Sequence, residues 1–158
     1  MLLHKTILFA VLSLSWLSCG FFAKNKNAAG TEEKMRMMEA DRAFSRLSEE
    51  RGMNKAFLEY IDSNGLLLRP NHLPLLGADA IDFLIQQNDS AFTLKWEPKS
   101  GMVSESGDLG FTYGIYVLRP KQKDTLIYGN YVSIWKKQAD GNWKFVLDSG
   151  NEGIGNAE

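Results

Sequence analysis

Three carboxylates stand next to apolar sequence: Asp41, Asp62 and Asp148. Asp148 follows Val146 on what strict strand alternation makes the face opposite Trp143, Phe145 and Leu147. If that face is concave, the carboxyl enters a pocket and desolvation raises its pKa. If it is not, Lys144, Val146 and Asp148 form a solvated or dimer face. Asp41 sits one residue from an apolar helical stripe, and the alternative to an inward position is pairing with an arginine such as Arg42 or Arg69. Asp62 precedes Asn64-Gly65 and is read as a turn former.

His4 and His72 are the two histidines, and only His72 survives removal of the amino terminus described below. It lies in the proline-pinned stretch Asn71-His72-Leu73-Pro74, so any imidazole chemistry must use it. One histidine builds no metal site, and no H-E-x-x-H spacing occurs. The single cysteine, Cys19, excludes an intrachain disulfide and a thiolate zinc cluster. No metal and no cofactor is therefore expected. Tyr60, Trp96, Tyr113, Tyr131 and Trp135 are the candidate pocket lining, with Tyr116 and Tyr128 as further aromatic surface. Strand aromatics serve a core or a sheet interface equally well, but a pocket of them suits an apolar, ring-bearing ligand.

The elements that must position these groups fall in two blocks. Thr31 with Glu32 and Glu33 can open a helix. Met37, Ala40, Phe44 and Leu47 follow at helical spacing, until Gly52. Ala56, Phe57, Tyr60 and Ile61 give a shorter helix stopped by Asp62-Ser63-Asn64-Gly65, and Leu66–Leu68 a brief strand ended by Arg69-Pro70. A third helix starts near Gly77 and buries Ile81, Leu84 and Ile85.

After Asn88 the period becomes two. Phe92, Leu94 and Trp96 alternate with polar residues, and Met102–Glu105 reads as a separate strand. Leu109, Phe111, Tyr113, Ile115 and Val117 share one face of a long strand. Leu126–Lys136 and the segment around Trp143, Phe145 and Leu147 close the sheet through Asp140-Gly141. Helices followed by antiparallel strands predict an α+β domain, one sheet wrapped over a few helices. Gly110, Gly114 and Gly129 inside the longest strands predict bends, hence a curved sheet and a hollow; a glycine packed against an aromatic leaves the same mark.

The amino terminus is an address. Lys5 precedes the apolar run Thr6–Leu17, which as a helix is roughly 18 Å long, short of the ~30 Å hydrocarbon core. That is the pattern of a secretory signal. Leu17-Ser18-Cys19-Gly20 resembles a bacterial lipobox, which implies a lipidated Cys19 and a periplasmic or cell-surface protein held to the membrane; ordinary signal cleavage is the alternative. Residues 1–19 are thus signal, 20–30 a flexible tether, 31–150 the domain and 151–158 a loose tail. The 158-residue chain carries 18 basic and 19 acidic residues. Losing residues 1–18 removes Lys5 and no acid, leaving 17 against 19, or −2. No nucleic-acid partner is expected from that balance.

Asp41-Arg42-Ala43-Phe44 on the first helix, Leu66-Leu67-Leu68-Arg69-Pro70 after the second, and the Gly77-led third helix form a recognisable order. Gly129-Asn130-Tyr131-Val132-Ser133-Ile134-Trp135 and Asp140-Gly141-Asn142-Trp143-Lys144 complete it. Over residues 31–150 this resembles the nuclear transport factor 2-like superfamily, in its SnoaL-like (polyketide-cyclase-like) branch. The resemblance implies three helices against a strongly curved mixed, mainly antiparallel sheet, a cone with an internal pocket, and often a homodimer through the sheet. It also implies that an enzymatic member uses a pocket carboxylate with a histidine or tyrosine and no metal, a base against a C–H acid and a donor to the enolate. On this chain those roles fall to Asp148 or Asp41 with His72 or a tyrosine. The superfamily holds isomerases, dehydratases, cyclases and members without chemistry, so fold does not decide function. The leading expectation is a catalytically silent small-molecule binder. A cofactor-free isomerase, dehydratase or cyclase is the alternative, and a protein-interaction domain the third.

Overall fold

The computed structural model describes residues 23–154, with side chains from residue 30. Its elements run α1 (Ala23–Arg51), α2 (Met53–Tyr60), β1 (Ile61–Leu68), β2 (Leu75–Leu76), α3 (Ala78–Gln86), β3 (Phe92–Val103), β4 (Leu109–Pro120), β5 (Ile127–Lys137) and β6 (Trp143–Glu152). The signal, Cys19 and the first part of the expected tether lie outside the described residues. α1 begins at Ala23, inside the expected tether, because residues 23–30 hold no proline and are rich in alanine and lysine.

On α1, Met37 and Phe44 are fully buried, as their spacing requires. A second, polar stripe runs beside them at Asp41, Ser45 and Ser48, also fully or largely buried. Gly52 ends the helix at φ 93°, a left-handed conformation that side-chain-bearing residues avoid, and its N–H reaches Ser48 O at 3.1 Å. α2 buries Ala56 and Phe57. α3 buries Leu84 and packs Ile81 against the core as expected, whereas Ile85, expected inside, is exposed and Ala80 is buried in its stead.

Six strands form one mixed sheet in the order β2-β1-β6-β5-β4-β3. β1 runs parallel to β6 and every other pairing is antiparallel. β1 absorbs the predicted turn: Asp62 Oδ1 accepts the Asn64 N–H at 2.9 Å, and the pairing with β6 skips between Ile61 and Leu66. β3 is continuous where two strands were expected, kinked by an irregularity between Pro98 and Ser100. β6 continues through Asn151 and Glu152, expected in the tail, which pair with Asn130 and Gly129.

α1 also manages the edge of the sheet. β3 has a free side, and on it Ser45 Oγ donates to Trp96 O at 2.7 Å and accepts the Trp96 N–H at 2.8 Å. Ser48 Oγ donates to Leu94 O at 2.7 Å. Backbone groups of an edge strand otherwise seek other chains or water. The core between the layers is aromatic. Phe44 lies 4.5 Å from Trp96 and 4.7 Å from Phe57 edge-on, and stacks on Phe145 at 5.5 Å, by ring centroids.

Candidate functional site

One slip of register decides what β6 shows to the helices. Trp135 pairs with Phe145, but Ile134 pairs with Leu147, leaving Val146 unopposed. The extra residue reverses the alternation beyond it. Trp143 and Phe145 face the helices, and so, after the bulge, does Asp148, opposite Ser133. Asp148 therefore shares the face of Phe145; it does not oppose it, as strict alternation required.

A cavity of about 240 Å³ opens between α2 and this inner face. Met53 and Phe57 of α2 form its roof, with Arg69 and Pro70 from the end of β1 at one side. Leu94 and Trp96 of β3, Tyr116 and Leu118 of β4, and Tyr131 of β5 contribute the sheet wall. Asp148, Ser149, Gly150 and Glu152 of β6 complete it. Pro70 and Glu152 are exposed and mark the mouth.

Two reciprocal Gly-x-Tyr pairs build the floor. Gly114 stands opposite Tyr131, and Tyr116 opposite Gly129. A Cβ at Gly129 would lie 2.3 Å from Tyr116 Cζ, and one at Gly114 would lie 2.8 Å from Tyr131 Cε1. Each tyrosine ring lies down over the glycine across the strand pair. Tyr116 extends on to Gly150, whose Cβ position is 3.4 Å from its Cε1. At Gly114 and Gly129 the space is thus taken by aromatic packing, the second of the two readings their positions allowed, whereas the Cβ position of Gly110 lies 2.6 Å from Met37 Sδ.

The two carboxylates sit differently. Asp148 is bound by an ion pair: Arg69 Nη2 donates to Oδ1 at 2.7 Å, and Ser133 Oγ donates to Oδ2 at 2.7 Å. Arg69 Nη1 also reaches Asp148 O at 3.2 Å, and its guanidinium lies over the Phe57 ring at 5.3 Å. Asp41 is wholly buried behind the wall and is not part of the lining. Trp96 Nε1 donates to its Oδ1 at 2.7 Å and the Tyr131 hydroxyl to its Oδ2 at 2.8 Å. Burial pushes its pKa up, against the opposing pull of hydrogen bonds from Thr112, Trp96 and Tyr131. Burial, reinforced by the Asp41 charge, pushes the Tyr131 phenol well above its ordinary value. Neither of the arginine pairings foreseen for Asp41 forms: Arg42 turns to Glu39 and Glu97, and Arg69 to Asp148.

Of the expected lining, Trp96 and Tyr131 are in the cavity wall, while Tyr60, Tyr113 and Trp135 are elsewhere. Tyr60 stacks on Phe44 in the core at 5.0 Å. Trp135 is fully buried, donating to Thr112 Oγ1 at 2.8 Å. Tyr113 is about half exposed on the outer face of the sheet, because the apolar row Leu109, Phe111, Tyr113, Ile115 and Val117 points away from the helices. His72 is exposed, bonded through Nδ1 to Pro70 O at 2.9 Å and edge-on to Phe83. It meets neither carboxylate and lies outside the lining, so the imidazole partner foreseen for Asp148 or Asp41 is absent from the site.

Residue-by-residue reading offers Arg69 only as a partner of Asp41, and does not single out Ser133, Thr112 or the lining residues Met53, Phe57, Leu94, Leu118 and Glu152 as site components. The repeated Gly-x-Tyr and the Asp41/Ser45/Ser48 spacing were available signals for the floor and for the inward turn of Asp41. Among the described residues no three His, Cys, Asp or Glu side chains gather as a metal site, and no helix is long and apolar enough to cross a membrane. Chemically, the cavity offers ring surface and a guanidinium already balanced by a carboxylate.

No protein-family model matches the chain, and no curated protein sequence does. Solved structures do match in three dimensions. A ketosteroid isomerase-like protein of Erwinia carotovora atroseptica shares 18% identity over 78% of this chain and 98% of its own, with a TM-score of 0.63. An NTF2-like protein with a cystatin-like fold from Novosphingobium aromaticivorans shares 16% over 87% and 90%, at 0.61. An NTF2-like protein of unknown function from Prochlorococcus marinus shares 22% over 78% and 94%, at 0.59. At these identities the likeness is one of fold: an α+β, NTF2-like architecture of three helices and a six-stranded mixed sheet.

Proposed function

We propose that the chain is an exported ligand-binding domain, a SnoaL-like cone whose cavity takes a small, largely apolar, ring-bearing molecule. In this reading residues 1–19 direct export, and a lipid on Cys19 holds the domain to a membrane on the periplasmic or cell-surface side. The outer sheet face, with Tyr113, Leu109 and Val132 exposed, pairs with a second copy. Nucleic acid and cofactors have no part.

The observation that carries binding over turnover is the state of the carboxylates. Both oxygens of Asp148 already accept Arg69 and Ser133, and both oxygens of Asp41 accept Trp96 and Tyr131. A general base needs an acceptor within reach of the substrate proton; here every carboxylate oxygen already takes one donor from inside the protein, Asp148 is held by a cation, and Asp41 is outside the lining. Size supports a modest guest. About 240 Å³ exceeds the ~150 Å³ that holds a benzene and is below the roughly 300–1,000 Å³ of drug-sized sites.

A second reading, a cofactor-free isomerase, dehydratase or cyclase, draws on Asp148 lining the cavity. It requires Arg69 to yield the carboxylate once substrate is bound. Mass spectrometry of the purified protein for a co-purifying small molecule, with turnover assays on candidate ring substrates, separates the two. Binding predicts a retained one- or two-ring molecule and no turnover in wild type or Asp148→Asn. Turnover that falls about a hundredfold or more in Asp148→Asn, the size of a lost general base, would establish the enzyme instead.

A further inference from the structure

We infer that the guest of this cavity is a small organic cation with its charge spread over carbon, such as an N-alkylated heteroaromatic ring; this rests on the binding reading above. The first ground is which parts of the aromatic residues face the hollow. Trp96 and Tyr131 both spend their polar ends on Asp41, behind the wall, at 2.7 and 2.8 Å. What they present to a guest is ring. An indole or phenol that donates to a carboxylate also gains electron density, which deepens the negative potential over its face. Tyr116 adds a third ring, laid across Gly129 and Gly150 with one side against the sheet and the other toward the cavity. Negative ring faces attract a cation within about 6 Å, more strongly where water is excluded.

The second ground is charge balance. Arg69, the one cation in the lining, is closed off by Asp148 at 2.7 Å and already rests over Phe57. Glu152 stands at the mouth and enters none of the ion pairs among the described residues. Asp41 lies behind Trp96 and Tyr131 without a cationic partner. The unpaired charge at the rim of the hollow, that of Glu152, is negative, so a carboxylate guest meets repulsion there where a cation meets attraction.

Three probes of one ring size test this: N-methylpyridinium, toluene and benzoate, titrated while following the Trp96 indole N–H resonance. N-methylpyridinium is expected to bind about tenfold tighter than toluene, the ratio of a partly desolvated cation–π contact, with benzoate weakest. Tyr116→Leu keeps apolar bulk and removes one of the three rings, so it should narrow that preference by about two- to threefold while toluene still binds. Glu152→Gln, which removes the charge and keeps the shape of the mouth, should weaken N-methylpyridinium about threefold more than it weakens toluene. Toluene binding as tightly as N-methylpyridinium, or benzoate tightest, would overturn the cation inference and leave the binding reading intact. No response to any probe would overturn both.

Discussion

Asp41 and Asp148 are both buried on the inner side of one sheet, and the protein treats them in opposite ways. Asp148 is given a counter-charge, Arg69, and one hydroxyl. Asp41 is given only neutral donors, from Trp96, Tyr131 and Thr112. An ion pair moves charge out of water at a cost that its partner offsets. A carboxylate among neutral donors keeps its desolvation penalty and is held by the geometry of the donors, which it fixes in return. The difference assigns distinct tasks. Asp148 with Arg69 is the polar corner of the cavity, whereas Asp41 is a strut behind it that sets the positions of two wall residues.

That contrast can be broken most forcefully at the strut. Asp41→Ala leaves the Trp96 indole N–H and the Tyr131 hydroxyl without their acceptor, and should lower stability by roughly 2–4 kcal/mol in urea unfolding. A loss below about 0.5 kcal/mol would mean that Asp41 is not what holds the wall. Next in size, Arg69→Met strands a buried Asp148. Because Arg69 keeps some solvent contact, the expected loss is about 2 kcal/mol, below the ~3–5 kcal/mol of a fully buried pair. Adding Asp148→Leu should restore stability to within about 1 kcal/mol of wild type, since a pair replaced by apolar groups is nearly neutral. No single partner change should rescue Asp41→Ala, which has no counter-charge to remove.

A smaller effect is the pH dependence that Asp41 brings. The folded-state pKa of Asp41 is raised above its unfolded value near ~3.9. Its contribution to stability is therefore most favourable below that unfolded value, and is lost as pH rises through the raised folded value. Relative to Asp41→Asn, which does not titrate, wild type should become progressively less stable across that window and then level off. Denaturant melts of both proteins from pH 3 upward check this; a difference that grows in favour of wild type with rising pH would contradict it.

The reach of sequence reasoning follows the same divide between local and long-range causes. The α1 stripe, the change of period after Asn88 and the Asp140-Gly141 hairpin are local, and the structure has a helix, strands and a tight turn there. Asp148 could be singled out by its apolar neighbours, but its face could not: the unopposed Val146 reverses the alternation, and a bulge has no mark in the pattern of apolar residues. Its partner Arg69 is 79 positions away. Tyr113 and Trp135 look alike by residue type, yet one is outside the sheet and the other sealed in the core, because which faces of β4 and β5 meet the helices depends on packing. His72 drew attention by scarcity alone, and scarcity carries no geometry.

The central claim is that the space between α2 and the Gly-x-Tyr floor receives a guest. Met53 hangs into that space from α2 and is only partly buried, so Met53→Trp fills it from a helical position without disturbing the sheet. The deciding measurement is a toluene titration of wild type and Met53→Trp, observed at the Trp96 indole N–H by NMR. A saturable shift in wild type that is abolished in the folded Met53→Trp protein is the predicted result. An unresponsive wild type, or equal shifts in both proteins, would contradict the account.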